Sequence, residues 1–162
     1  MQGTFTRVSE LKQRLRDDLT AAMKARDELV KRTLRMTLTA IGTAEVAGTT
    51  ARELSDDEVL KVIAKEAKKR AESAEAFAGA GRTELAAQEI AEGEVLAGYL
   101  PTQLTDDELA AIARTAVDET TAELGEAPGQ RQMGQVMKKA NAAAAGRADG
   151  GRVAAAVKAL LA

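Results

Sequence analysis

The chain has no histidine, no cysteine and no tryptophan, only two prolines, and only Phe5, Phe77 and Tyr99 as aromatics. Without His and Cys it lacks the usual acid–base catalyst, the thiolate nucleophile and the commonest zinc ligands. The absence of cysteine excludes a disulfide-stapled scaffold but does not by itself fix a compartment. No run approaches the ~20 apolar residues of a membrane span, and residues 1–7 carry no signal-peptide hydrophobic region. These absences lead to the expectation of a cytoplasmic chain with no cofactor, no metal site and no membrane partner.

Alanine dominates the 45% hydrophobic content, so the core is smaller than that figure suggests, but alanine is also the strongest helix former. Val and Ile recur at spacings of three and four, not two, and both prolines fall between expected helices. The fold class read from this pattern is all-α. At 162 residues the prior is one domain, with room for a smaller appendage.

The net charge of −2 hides a strong asymmetry. Residues 1–53 carry ten basic and seven acidic side chains, residues 54–124 seven and sixteen, and residues 125–162 six and two. A basic tail after an acidic body points either to an anionic partner at that end or to contact between segments.

Helix signals divide the chain. A first helix is expected from residues 6–9 to about 25, with Val8, Leu11, Leu15, Leu19, Ala22 and Met23 as its stripe. Asp27 is placed to cap a second, on which Val30, Leu34, Leu38 and Ile41 share a face before Gly48-Thr49-Thr50 breaks it. Leu54-Ser55-Asp56-Asp57-Glu58-Val59 combines a hydrophobic staple with a capping box, and Leu104-Thr105-Asp106-Asp107-Glu108-Leu109 repeats the pattern. The spacing of these acidic clusters fits caps, and no neighbouring ligand set completes a metal site. The third helix runs from 56 to about 78 with Val59, Val62, Ile63, Ala67, Arg70, Ala74 and Phe77 near one face, and a fourth from 84 to 100, stopped by Pro101. A fifth spans 106–124, with Leu109, Ile112, Ala116, Val117 and Leu124 apolar, and a loop over 125–130 precedes a terminal helix pair. The expected organisation is a bundle of about four helices over residues 1–103, followed by a small three-helix domain over 104–162.

Three groups of charged residues invite a chemical reading. Glu72-x-x-Glu75 and Glu89-x-x-Glu92 resemble half of a di-metal carboxylate bundle, but such bundles use Glu-x-x-His and this chain has no His, which leaves a solvated acidic face. Lys61, Lys65, Lys68, Lys69 and Arg70 form a basic stripe interleaved with Glu66, Glu72 and Glu75, which intrahelical ion pairs explain. With Arg32 and Arg35, the residues Lys65, Lys68 and Lys69 make a secondary candidate surface. The terminal turn is the primary candidate: Lys138 and Lys139 precede Gly146, Arg147 and Arg152, Asp149 is placed to cap the last helix, and Lys158 follows on it. Gly134, Gly146, Gly150 and Gly151 are poor helix formers around these cations and permit close approach by a phosphate-bearing ligand as well as tight helix packing. No residue is assigned a catalytic role.

Met133-Gly134-Gln135-Val136-Met137, Gly146-Arg147-Ala148-Asp149-Gly150, Val153 and Val157-Lys158 resemble the tail motif of the GatB/YqeY family. Met23-Lys24-Ala25-Arg26-Asp27, Thr33-Leu34-Arg35-Met36, Lys65-Glu66-Ala67-Lys68-Lys69-Arg70 and Tyr99-Leu100-Pro101-Thr102-Gln103-Leu104 are similar to its stand-alone YqeY-like members. The resemblance covers nearly the whole chain. It implies a helical bundle followed by a three-helix domain related to the tail that helps hold tRNA in the B subunit of glutamine-dependent tRNA amidotransferase. That family is classed with carbon–nitrogen ligases using glutamine as amide donor, but this chain corresponds only to the tail-like part. The expected function is an accessory role with tRNA or another structured RNA, in company with an amidotransferase or other translation factors. Two alternatives stand beside it: a helical protein-interaction adaptor that binds no RNA, and an amide-transferring enzyme in its own right.

Overall fold

The computed structural model describes residues 9–161, and over these the fold is all-α, with seven helices and no strand. Val8 and the earlier edge of the expected first helix at Thr6 lie outside the described residues. The helices are α1 (Glu10–Ala25), α2 (Glu28–Glu45), α3 (Asp56–Gly79), α4 (Thr83–Ala97), α5 (Asp106–Leu124), α6 (Met133–Ala144) and α7 (Gly150–Lys158). The chain divides into two compact units, Met1–Leu100 and Pro101–Ala162.

In the N-terminal unit α1–α4 enclose Leu15, Leu34, Ile41, Leu54, Val59, Ile63 and Leu96. Each such side chain contributes about 1.5–3 kcal/mol by leaving water. Ser9 and Asp27 cap α1 and α2 by accepting from Lys12 N and Val30 N. The α3 box is complete, with the Ser55 hydroxyl accepting from Glu58 N and the Glu58 carboxylate accepting from Ser55 N. Arg52 grips the same carboxylate, and its hydrogen bonds, followed by that of Ser55 N–H, push the Glu58 pKa down to about 2. At the end of the unit the Tyr99 hydroxyl donates to Asp18 of α1, and the Arg14 guanidinium lies 4.8 Å over the Tyr99 ring. Burial first, then Asp18, raises the Tyr99 pKa.

Several positions differ from the amphipathic reading. Met23 and Leu124, at the ends of α1 and α5, are 48% and 40% exposed. α4 ends at Ala97 instead of running to Leu100, because the chain turns at Gly98, three residues before Pro101. A 3-10 turn at Gln130–Gln132 replaces part of the expected loop. Lys12 is buried, donating to both Glu45 carboxylate oxygens at 2.8 and 3.0 Å. Thr33 and Thr37 are buried as well, their hydroxyls returned to the Leu29 and Thr33 carbonyls one turn back.

The C-terminal unit packs α5, α6 and α7 around Leu104, Leu109, Ala113, Ala116, Val136, Ala140, Ala144, Val153, Val157 and Leu161. Alanines at the helix contacts let the backbones approach closely, and Met133 and Met137 fill the margin. Ala145 (φ 49°) and Gly146 (φ 76°) are both left-handed, and together they reverse the chain between α6 and α7. Arg147 N then bonds back to the Ala144 carbonyl at 2.9 Å.

Candidate functional site

Leu104, anchored in the apolar core, brings the segment before α5 alongside the α6–α7 turn, and Leu104 N donates to the Arg147 carbonyl at 2.8 Å. Both arginines of that turn face the segment. Arg147 Nε donates to the Thr102 carbonyl at 2.9 Å, with its Nη2 3.6 Å from Glu108. Arg152 Nη2 donates to the Leu104 carbonyl and to Asp106 Oδ1, both at 2.9 Å. Asp149 accepts from Gly151 N and Arg152 N at 2.6 and 3.4 Å, so the first amides of α7 already have an acceptor. The repeated cap at Thr105 is accordingly one-sided: its hydroxyl accepts from Glu108 N, while the Glu108 carboxylate lies towards Arg147.

Of the remaining cations of the unit, Arg114 is exposed on α5 among its carboxylates, and the others lie on α6, on α7 or in the turn before α6. Lys139 is drawn to Glu123 of α5 at 2.7 Å. Lys138 on α6 and Lys158 on α7 are exposed and have no carboxylate partner among the described residues. Arg131, in the turn leading into α6, is exposed and unpaired in the same sense. α5 carries six carboxylates, whereas Asp149 is the single acidic residue from position 127 to the end of the sequence. Apart from Arg114, opposite charges are thus separated onto different helices of one small unit, leaving on α6 and α7 a surface of one sign that attracts anions.

The secondary candidates belong to a different arrangement. Arg32 Nε donates to Glu92 at 2.8 Å, and the other Glu92 oxygen lies 3.5 Å from Arg70 Nε. Arg70 also donates to Glu66 at 2.9 Å, and Lys69 stands 3.5 Å from Glu66. Glu66, Arg70 and Glu92 are each less than a tenth exposed. Arg70 therefore leaves the expected basic stripe and Glu92 the expected solvated acidic face, because each is the counter-charge that makes burial of the other tolerable. Arg35 donates to the Met23 sulfur at 3.9 Å, and Arg70 to the Met36 sulfur at 3.7 Å. Lys65 and Lys68 stay exposed on α3, which mixes acidic and basic residues over its length. Among the described residues no three His, Cys, Asp or Glu side chains group as a metal site, and no helix is long and apolar enough to cross a membrane.

A family model described as Yqey-like protein matches residues 12–161. The chain belongs to the YqeY-like family. No curated protein matches it. Three residues of the segments quoted for the resemblance have visible structural uses here: Tyr99 ties the end of the bundle to α1, Gly146 makes the left-handed turn, and Asp149 caps α7. Arg131 is not among the candidates that the sequence motifs suggest. The signal that finds it is the absence of any acidic neighbour from 127 to 148.

Proposed function

We propose that this YqeY-like chain is an RNA-associated accessory protein, with tRNA or another structured RNA as its partner, engaged through the α6–α7 side of its C-terminal unit. The observation that carries this reading is the set of unneutralised cations, Arg131, Lys138 and Lys158, on helices nearly free of acidic residues. The likeness of the tail motif to the tRNA-holding tail of the amidotransferase B subunit supports it. Arg147 and Arg152 contribute by bracing the turn against the 102–106 backbone, and so fix the surface that carries the lysines. The function is binding, in company with an amidotransferase or another translation factor, not amide transfer by this chain alone.

Exposed thioethers favour a second reading. Met23 and Met36, each 48% exposed, give the N-terminal unit adaptable apolar side chains suited to a protein partner. The two readings separate by filter retention of unfractionated tRNA at several salt concentrations. The RNA reading requires binding that weakens steeply with salt, since released counterions carry the affinity. An adaptor gives no such retention.

A further inference from the structure

The outward face of α6 has a composition that folding does not require. Val136, Ala140 and Ala144 are its buried positions, with Met133 and Met137 beside them. The side away from these presents Gly134, Gln135, Lys138 and Asn141, all exposed, with Lys138 three or four residues from each of the others and Arg131 in the 3-10 turn just before the helix. No carboxylate interrupts this row. The side chains of Gln135 and Asn141 make no hydrogen bond within the described residues. Gly134 stands in a helix, where glycine costs roughly 0.5–1 kcal/mol relative to alanine, yet a Cβ there would meet nothing within 4 Å. Neither packing nor backbone conformation calls for glycine at that position.

We infer that this face is the row that meets RNA, with Arg131 and Lys138 on phosphates and Gln135 and Asn141 on ribose 2′-hydroxyls. The missing side chain at Gly134 lets the nucleic-acid backbone come close to the helix. The inference rests on the RNA reading above and locates it. Arg131, in the 3-10 turn before α6, and Lys138, in the second turn of the helix, are seven residues apart in the chain, so they meet separate phosphates. Amide side chains both donate and accept, as a 2′-hydroxyl does, and 2′-hydroxyl recognition lets a protein distinguish RNA from DNA. The acidic helix α5 belongs to the same unit but repels phosphate, which leaves α6 as its receptive side.

The test uses the full chain, unfractionated tRNA and a DNA hairpin as comparator. R131Q/K138Q should flatten the dependence of log affinity on log salt by about two units, one for each phosphate that is no longer neutralised. Q135A/N141A should weaken tRNA binding at unchanged salt slope and shrink the preference for tRNA over the DNA hairpin. Gly134→Ala should raise helix stability in thermal unfolding followed by circular dichroism while lowering tRNA affinity, a pairing that a purely structural role for Gly134 does not produce. If wild type binds tRNA and R131Q/K138Q retains its salt slope, the α6 row is wrong while the RNA reading stands. If wild type fails to bind, the RNA reading falls and this inference with it.

Discussion

In the N-terminal unit, Arg70, Glu66 and Glu92 from α3 and α4 meet almost out of water, joined from α2 by Arg32. In the C-terminal unit, Thr120 is the one buried polar side chain among the described residues, and its hydroxyl is returned to the Ala116 carbonyl. The first unit thus cancels charge internally, helix against helix, and its surface helix α3 mixes both signs. The second keeps an apolar, alanine-rich interior and sorts its charges by helix, six carboxylates against one arginine on α5 and cations on α6 and α7. Charge inside a bundle contributes to specifying which helices meet. Charge sorted on a surface leaves an electrostatic field for a partner.

Breaking the internal pairing gives the largest expected effect. Glu92→Ala strands Arg70 with Glu66 as its remaining carboxylate and should cost the N-terminal unit about 3–5 kcal/mol. Urea unfolding with residue-resolved amide signals should show the loss in residues 9–100, with the α5–α7 signals unmoved. Replacing Glu66, Arg70 and Glu92 together with Leu, Met and Leu should restore much of it, since a buried ionic cluster exchanged for apolar side chains is often neutral or stabilising. If the triple variant is less stable than the single one, the cluster does more than balance its own charges.

In the C-terminal unit the corresponding change is smaller. Arg152→Ala removes the bonds to the Leu104 carbonyl and Asp106 and should cost about 1–2 kcal/mol, read as a lower urea midpoint of α5–α7. A loss as large as that of Glu92→Ala would erase the contrast between the units.

The smallest effect is a titration. The folded-state pKa of Glu58 is depressed to about 2 by Arg52 and Ser55, against about 4.3 in an unfolded chain. Its stabilising effect is therefore present above the unfolded value and is lost as pH falls from there through about 2. Its carboxyl chemical shift should titrate with a midpoint well below the ordinary glutamate range, and Arg52→Ala should return it towards that range.

Local features were legible in the sequence. The Ser55/Glu58 box, the bounds of α5 and the Asp149 cap each depend on residues two or three apart, so composition suffices to find them. Partnerships across the fold were not. The local pairing of Arg70 with Glu66 follows from their spacing on α3, but Glu92 reads as part of a solvated acidic face until Arg32 and Arg70 reach it from other helices, and nothing near Lys12 in sequence announces Glu45. Arg147 and Arg152 likewise read as free cations, because the carbonyls they hold lie 45 and 48 residues earlier. Lys138 and Lys158 stay exposed and meet no carboxylate among the described residues, whereas Lys139, next in sequence to Lys138, turns to Glu123 of α5.

The central claim is that charge sorted on α6 and α7 serves RNA, whereas the mixed charge of α3 does not. The most direct measurement compares the salt dependence of tRNA binding for K138Q/K158Q with that for K61Q/K65Q, which removes the same charge from α3. The account predicts a slope flattened by about two units for K138Q/K158Q and little changed for K61Q/K65Q. Equal slopes for the two variants, or a larger loss from the α3 pair, would contradict it.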